Sequence, residues 1–131
     1  MGMCKLPPTL NNVVIVEDEI IISRVFEVYF QNADVHVIKQ YSKAEDFILE
    51  MKQNNEVDIV LMDVQLGGKM DGIEAAKAFR KISNVPILFT TGNEYNESCD
   101  ATELIPNSKI LNKPIHFEKL CKAINEIYND K

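Results

Sequence analysis

The chain lacks any concentrated basic segment. Its 14 lysines and arginines are scattered among 20 acidic residues, for a formal net charge of −6. A nucleic-acid surface needs a clustered basic face to displace counterions from phosphates, so direct nucleic-acid binding is not expected. Long apolar runs are absent too: the longest extend about five residues, against the roughly 20 that a membrane-spanning helix needs. Residues 1–8, Met-Gly-Met-Cys-Lys-Leu-Pro-Pro, contain no apolar signal-peptide core. Leu6 stands where a myristoylation signal beginning at Gly2 wants serine or threonine. Cysteine is scarce. Cys4, Cys99 and Cys121 are widely spaced with no CxxC pair, which argues against a zinc or redox motif and leads us to expect reduced thiols in a cytoplasmic protein.

What remains is a chain of 131 residues, 46% hydrophobic and 26% charged, enough for one globular domain with a real core. Residues 1–11, with consecutive prolines and polar Asn11, read as a flexible arm, and 12–131 as the domain. Short apolar runs near 12–17, 34–38, 58–62, 86–90 and 109–111 predict strands. Segments 19–31, 43–53, 72–82, 94–104 and 115–129 carry helical spacing, the fourth most weakly. Ile20, Ile21, Val25, Val28 and Tyr29 mark the first helix. Ala44, Phe47, Ile48 and Met51 mark the second, with Ser42 and Glu45 as a capping box. Ile73, Ala76, Phe79 and Ile82 mark the third; Leu120, Ile124 and Ile127 mark the last. Five strands alternating with five helices predict a doubly wound, flavodoxin-like α/β fold with a parallel sheet in the order 2-1-3-4-5. Val13–Val16 and Ile59–Met62 are apolar at successive positions, as doubly buried strands should be. Val35-His36-Val37 alternates like an edge.

The chemistry gathers at the C-terminal strand ends, where open α/β sheets place their sites. The first run ends in Glu17-Asp18-Glu19, the third in Asp63, the fourth in Thr90-Thr91-Gly92 and the fifth in Asn112-Lys113-Pro114. With strands one and three adjacent, Glu17, Asp18 and Asp63 converge. Carboxylates about 5 Å apart repel by roughly 3 kcal/mol per pair at an effective dielectric near 20, so such a cluster calls for a cation. Hard oxygen donors in this number suit Mg²⁺. Three carboxylates, one Mg²⁺ and Lys113 then sum to neutrality, which would let an anionic phosphoryl group approach Asp63. Thr91 offers a hydroxyl and Lys113 a point charge for phosphoryl oxygens, and Gly92 leaves the approach open. The Lys113–Pro114 bond is a candidate for the cis form. The implied reaction is attack of a carboxylate on phosphorus to give an acyl phosphate. Glu19 is assigned to the first helix turn rather than to a metal, and Asp71-Gly72 to a turn and helix start. His36 and His116 receive no catalytic role.

Val13-Val14-Ile15-Val16-Glu17-Asp18-Glu19, Asp58-Ile59-Val60-Leu61-Met62-Asp63, Met70-Asp71-Gly72, Pro86-Ile87-Leu88-Phe89-Thr90-Thr91 and Lys113-Pro114 together resemble the receiver domain of two-component response regulators, across roughly residues 12–128. The resemblance implies Asp63 as phospho-acceptor and Glu17 and Asp18 as Mg²⁺-site acids. It adds a backbone carbonyl ligand at Gln65, a switch hydroxyl at Thr91 and a phosphate-pairing lysine at Lys113. It implies a histidine kinase or histidine phosphotransfer protein as donor. Output would come through the face built from the fourth helical segment, the fifth strand and the fifth helical segment, where Thr102, Leu104, Ile105, Ile110 and Ala123 are candidates. Such a module is not an enzyme beyond assisting its own phosphorylation and dephosphorylation.

Three positions depart from the usual receiver pattern. Ile110 occupies the place of an aromatic switch residue, Gly67 that of a common proline, and Glu17 that of a more frequent aspartate. Other readings meet obstacles. An aspartyl-phosphate phosphohydrolase typically has an acid two residues after its nucleophile, where this chain has Gln65. A flavodoxin-like electron carrier needs its phosphate loop after the first strand, and this strand ends in acids. A degenerate receiver that only binds a partner would not need the intact pocket.

Overall fold

The computed structural model describes residues 4–52, 56–92 and 105–129. The strands are β1 (Asn12–Val16), β2 (His36–Tyr41), β3 (Ile59–Asp63), β4 (Ile87–Thr91) and β5 (Ser108–Asn112). All pair in parallel in the order β2-β1-β3-β4-β5. Among the described residues there are four helices: α1 (Ile20–Asn32), α2 (Ala44–Met51), α3 (Gly72–Arg80) and α4 (Phe117–Asn129). Segment 94–104, predicted as a further helix, lies outside the described residues, as do Cys99, Thr102 and Leu104.

Side chains alternate across the sheet, and both faces are covered. Val14, Val16, Val60, Met62, Ile87 and Phe89 face a core layer shared with Phe47 of α2 and Phe79 of α3. Val13, Ile15, Ile59, Leu61 and Leu88 face the other layer, with Phe26 and Phe30 of α1 and Leu120, Ile124 and Ile127 of α4. That is the doubly wound arrangement expected from the uninterrupted apolar strands. The edge strand β2 starts and ends later than the predicted 34–38. Asp34, at φ 59°, turns the chain out of α1, and Val37 and Ile38 are only half-buried.

Four expectations need correction. In α1 the buried face is Ser23, Phe26 and Phe30, whereas Ile20 and Ile21 are 83% and 79% exposed and Val25 and Val28 also face outward. The Ser42–Glu45 capping box does not form: Lys43 is the N-cap of α2 and makes no side-chain cap bond. Glu45 instead sets its carboxylate against Gly68. The box belongs to α3, where Asp71 Oδ1 accepts from the Glu74 N–H and Glu74 Oε1 from the Asp71 N–H. Cys4 and Cys121, expected as free thiols, form a disulfide, because residues 4–10 lie against α4. There Asn125 Nδ2 donates to the Lys5 carbonyl, and Leu10 is buried with the α1/α4 layer. Finally, Ile105 and Ala123, suggested for an exposed partner face, are buried in the core, while Ile110 is half-buried. No helix among the described residues is long and apolar enough to cross a membrane.

Candidate functional site

The register explains why the strand ends form one site. Val16 pairs with Met62, so Glu17 and Asp63, the next residues, stand side by side. Asp63 pairs with Thr90, Thr91 with Asn112, and Lys113 follows directly. Each element thus delivers its polar residue at or one step beyond the strand end, and neighbouring parallel strands are about 5 Å apart.

Ligand atoms of Glu17, Asp18 and Asp63 all lie within 4.8 Å of one another, with Glu17 and Asp63 buried and Asp18 exposed. Lys113 Nζ donates to Glu17 Oε1 at 2.9 Å and to Asp63 Oδ2 at 3.3 Å, bridging the two buried acids. Backbone groups hold the other oxygens. The Glu19 N–H donates to Glu17 Oε2, the Gln65 N–H to Asp63 Oδ1 and the Gly67 N–H to Asp18 Oδ2. Burial pushes the Glu17 carboxyl well above its usual range despite the Lys113 hydrogen bond, and the nearby Asp63 charge pushes the same way. Burial alone would lower the Lys113 pKa, but the hydrogen bond to Glu17 and the paired carboxylates outweigh it and raise it. Thr91 is buried at the end of β4, and its carbonyl accepts from the Lys113 N–H at 2.7 Å. The Lys113–Pro114 peptide is cis, as the sequence suggested.

The sequence matches the family described as the response regulator receiver domain over residues 13–125. The chain belongs to that family. It is 32% identical over 110 residues to the uncharacterized transcriptional regulatory protein YrkP of Bacillus subtilis (strain 168), covering 82% of this chain and 45% of that protein. It is 30% identical over 95 residues to the sensory transduction protein BceR of the same organism, covering 72% and 39%. This receiver therefore spans less than half the length of these curated relatives. A response regulator receiver protein from Sinorhizobium medicae WSM419 superposes with a TM-score of 0.80 at 25% identity, covering 94% of this chain and 98% of that one.

Receiver domains act in two-component signalling, interact with histidine kinases or phosphotransfer proteins and generally use Mg²⁺. The donor set of this receiver fits such an ion. It offers three hard carboxylate oxygens in one small volume, one of them open to solvent, and burial disfavours uncompensated charge on Glu17.

Sequence reasoning missed Gly72 at this site. A Cβ there would overlap the Asp63 carbonyl oxygen and sit 2.9 Å from Val64 Cα. The Gly72 N–H also donates to the Val64 carbonyl at 3.0 Å. The start of α3 thus packs on the backbone that presents Asp63, an approach that only glycine permits. The Asp71-Gly72 pair at a helix start was the available signal. Gly92, by contrast, has nothing within 4 Å of a Cβ position among the described residues.

Proposed function

We propose that this receiver takes a phosphoryl group onto Asp63 from a histidine kinase or histidine phosphotransfer protein, and that phosphorylation of Asp63 alters a protein-binding face. The observation that carries the reading is the convergence of Glu17, Asp18 and Asp63 within 4.8 Å, with Lys113 bridging Glu17 and Asp63. In the reaction an Asp63 carboxylate oxygen forms a bond to phosphorus. The phosphorus–nitrogen bond of a phosphohistidine breaks, and its electron pair returns to the donor imidazole. Asp63, Glu17, Asp18 and the Gln65 carbonyl would hold Mg²⁺, which when bound supplies positive charge against the developing phosphoryl oxygens. Lys113 then exchanges its Asp63 contact for a phosphoryl oxygen, and Thr91 offers its hydroxyl to another.

The module turns over no separate substrate; Gln65 supplies no acid two residues after Asp63 for a hydrolase. Output runs through the fourth helical segment, β5 and α4. Ile110 has no ring hydroxyl to expose or bury there, so this output does not rely on an aromatic switch. Two-component signalling fits a cytoplasmic setting, without direct nucleic-acid binding and without a membrane span.

The test is intact mass after incubation with acetyl phosphate, with and without Mg²⁺, on the wild type and Asp63→Asn. One phosphoryl adduct that requires Mg²⁺ and is lost in the variant is the expected result. An adduct that survives Asp63→Asn would place the acceptor elsewhere. No adduct, together with no beryllium fluoride complex, would leave a module that works by binding alone.

A further inference from the structure

We propose that Tyr29 of α1 is a positioning residue for Lys113, acting through the backbone of the loop that carries the lysine. The proposal rests on the phosphoryl-transfer reading above. Lys113 opens the loop 113–116 between β5 and α4, and its ammonium must reach Glu17 and Asp63 from there. A lysine stem has four rotatable bonds, so its charge is placed accurately only if its backbone is fixed. On the sheet side the loop is tied by the Lys113 N–H to the Thr91 carbonyl. On the other side Tyr29 Oη donates to the Ile115 carbonyl at 3.2 Å, across 86 residues of sequence.

The Tyr29 ring also meets Phe117, the first residue of α4, edge-on with centroids 5.8 Å apart and planes at 67°. Ile115 itself is buried in the same core layer as Phe26 and Phe30. Tyr29 therefore grips the loop both by its carbonyl and at the point where it becomes helix. The hydroxyl contributes nothing to the acidic cluster directly, since its partner is two residues beyond the lysine. It fixes the distance between α1 and the Lys113 backbone, which in turn sets how far Nζ reaches between the two carboxylates.

Tyr29→Phe removes the hydroxyl and keeps the ring, and Tyr128→Phe is the control. Tyr128 Oη donates to another backbone carbonyl, that of Asp58, at 3.4 Å, and its side chain packs on the same core layer, at the opposite end of β3. We expect Tyr29→Phe to slow adduct formation from acetyl phosphate about tenfold, given that a 1 Å misplacement can cost ~100-fold. Tyr128→Phe should leave the rate near wild type, and Mg²⁺ affinity by calorimetry should be the same in all three proteins. Equal slowing by both variants would mean a general structural effect and overturn the proposal. So would an unchanged rate in Tyr29→Phe, or a parallel loss of Mg²⁺ affinity, which would put the effect on the acids rather than the lysine. If the wild type itself forms no adduct, the functional reading fails instead, and the comparison shows which of the two is wrong.

Discussion

Gly72 has no room for a side chain, because a Cβ there would overlap the Asp63 carbonyl oxygen. Asp63 is thus held from three directions: by its own strand, by the Lys113 ammonium and by the first residue of α3. Gly72→Ala must move either α3 or the Asp63 backbone. Overpacking of this kind costs about 1–3 kcal/mol, measurable by urea unfolding. Adduct formation at Asp63 should fall in the same variant. A stability loss with unchanged phosphorylation would mean that α3 shifts while Asp63 stays in place.

Alkaline pH should weaken the fold through two tyrosines. Burial raises the Tyr128 pKa from its ordinary 10.0 to about 12, and the Asp58 charge adds to it. Tyr41 is raised further, first by burial and then by its hydrogen bond to Glu50. Above the ordinary tyrosine pKa the unfolded chain has released protons that the folded chain still holds. Stability present below pH 10 is therefore lost as pH rises toward 12. Lys113, whose pKa is also raised, adds a decline of the same sign. Urea midpoints between about pH 8 and about pH 11 should fall in the wild type, and less steeply in Tyr41→Phe/Tyr128→Phe. Parallel slopes would assign the decline to Lys113 instead.

The strand order and the cluster of strand-end residues were legible because both follow from one-dimensional facts. Val13–Val16 and Ile59–Met62 are apolar at successive positions, which only a doubly covered strand requires. Each polar residue ends its strand or follows it directly, so parallel register alone brings Glu17, Asp63, Thr91 and Lys113 together. Orientation of α1 was not legible. It carries two apolar stripes, Phe26/Phe30 and Ile20/Ile21/Val25/Val28, and helical spacing does not say which one meets the sheet. The cap of α2 was misassigned because Ser42 and Glu45 have the right types and spacing, yet Glu45 turns to Gly68. The Asp71-Gly72 pair marks a helix start but not what Gly72 packs on, and the Cys4–Cys121 bond depends on where the backbone passes in space, which no local pattern encodes.

Arg80 should be a structural cornerstone that lysine cannot replace. Its guanidinium donates to four backbone carbonyls, those of Ser83, Val85, Pro106 and Asn107, at 2.8–3.1 Å. These join the end of α3 to the approaches of β4 and β5. Burial lowers its pKa, but a guanidinium stays charged and keeps all its donors. Arg80→Ala should cost on the order of 2–3 kcal/mol. Arg80→Lys should lose most of that, because an ammonium lacks the planar fork that reaches several carbonyls at once. Near-equal urea midpoints for wild type and Arg80→Lys would show that charge, not geometry, is what counts there.

The Cys4–Cys121 bond closes a loop of 117 residues around nearly the whole domain. A cross-link of that span restricts the unfolded chain by up to roughly 4–5 kcal/mol in the chain-entropy account. Reductant should therefore lower the urea midpoint of the oxidised wild type and leave Cys4→Ser unaffected. The local consequence is separable from the global one. In the reduced protein Lys5–Thr9 lose a covalent anchor and keep the Asn125 bond to the Lys5 carbonyl and the buried Leu10. Amide exchange in this segment should accelerate more than in β1 and β3, which sit in the middle of the sheet. Uniform acceleration would mean the bond acts only on the unfolded state. An unchanged midpoint would mean that Leu10 and Asn125 hold the segment without it.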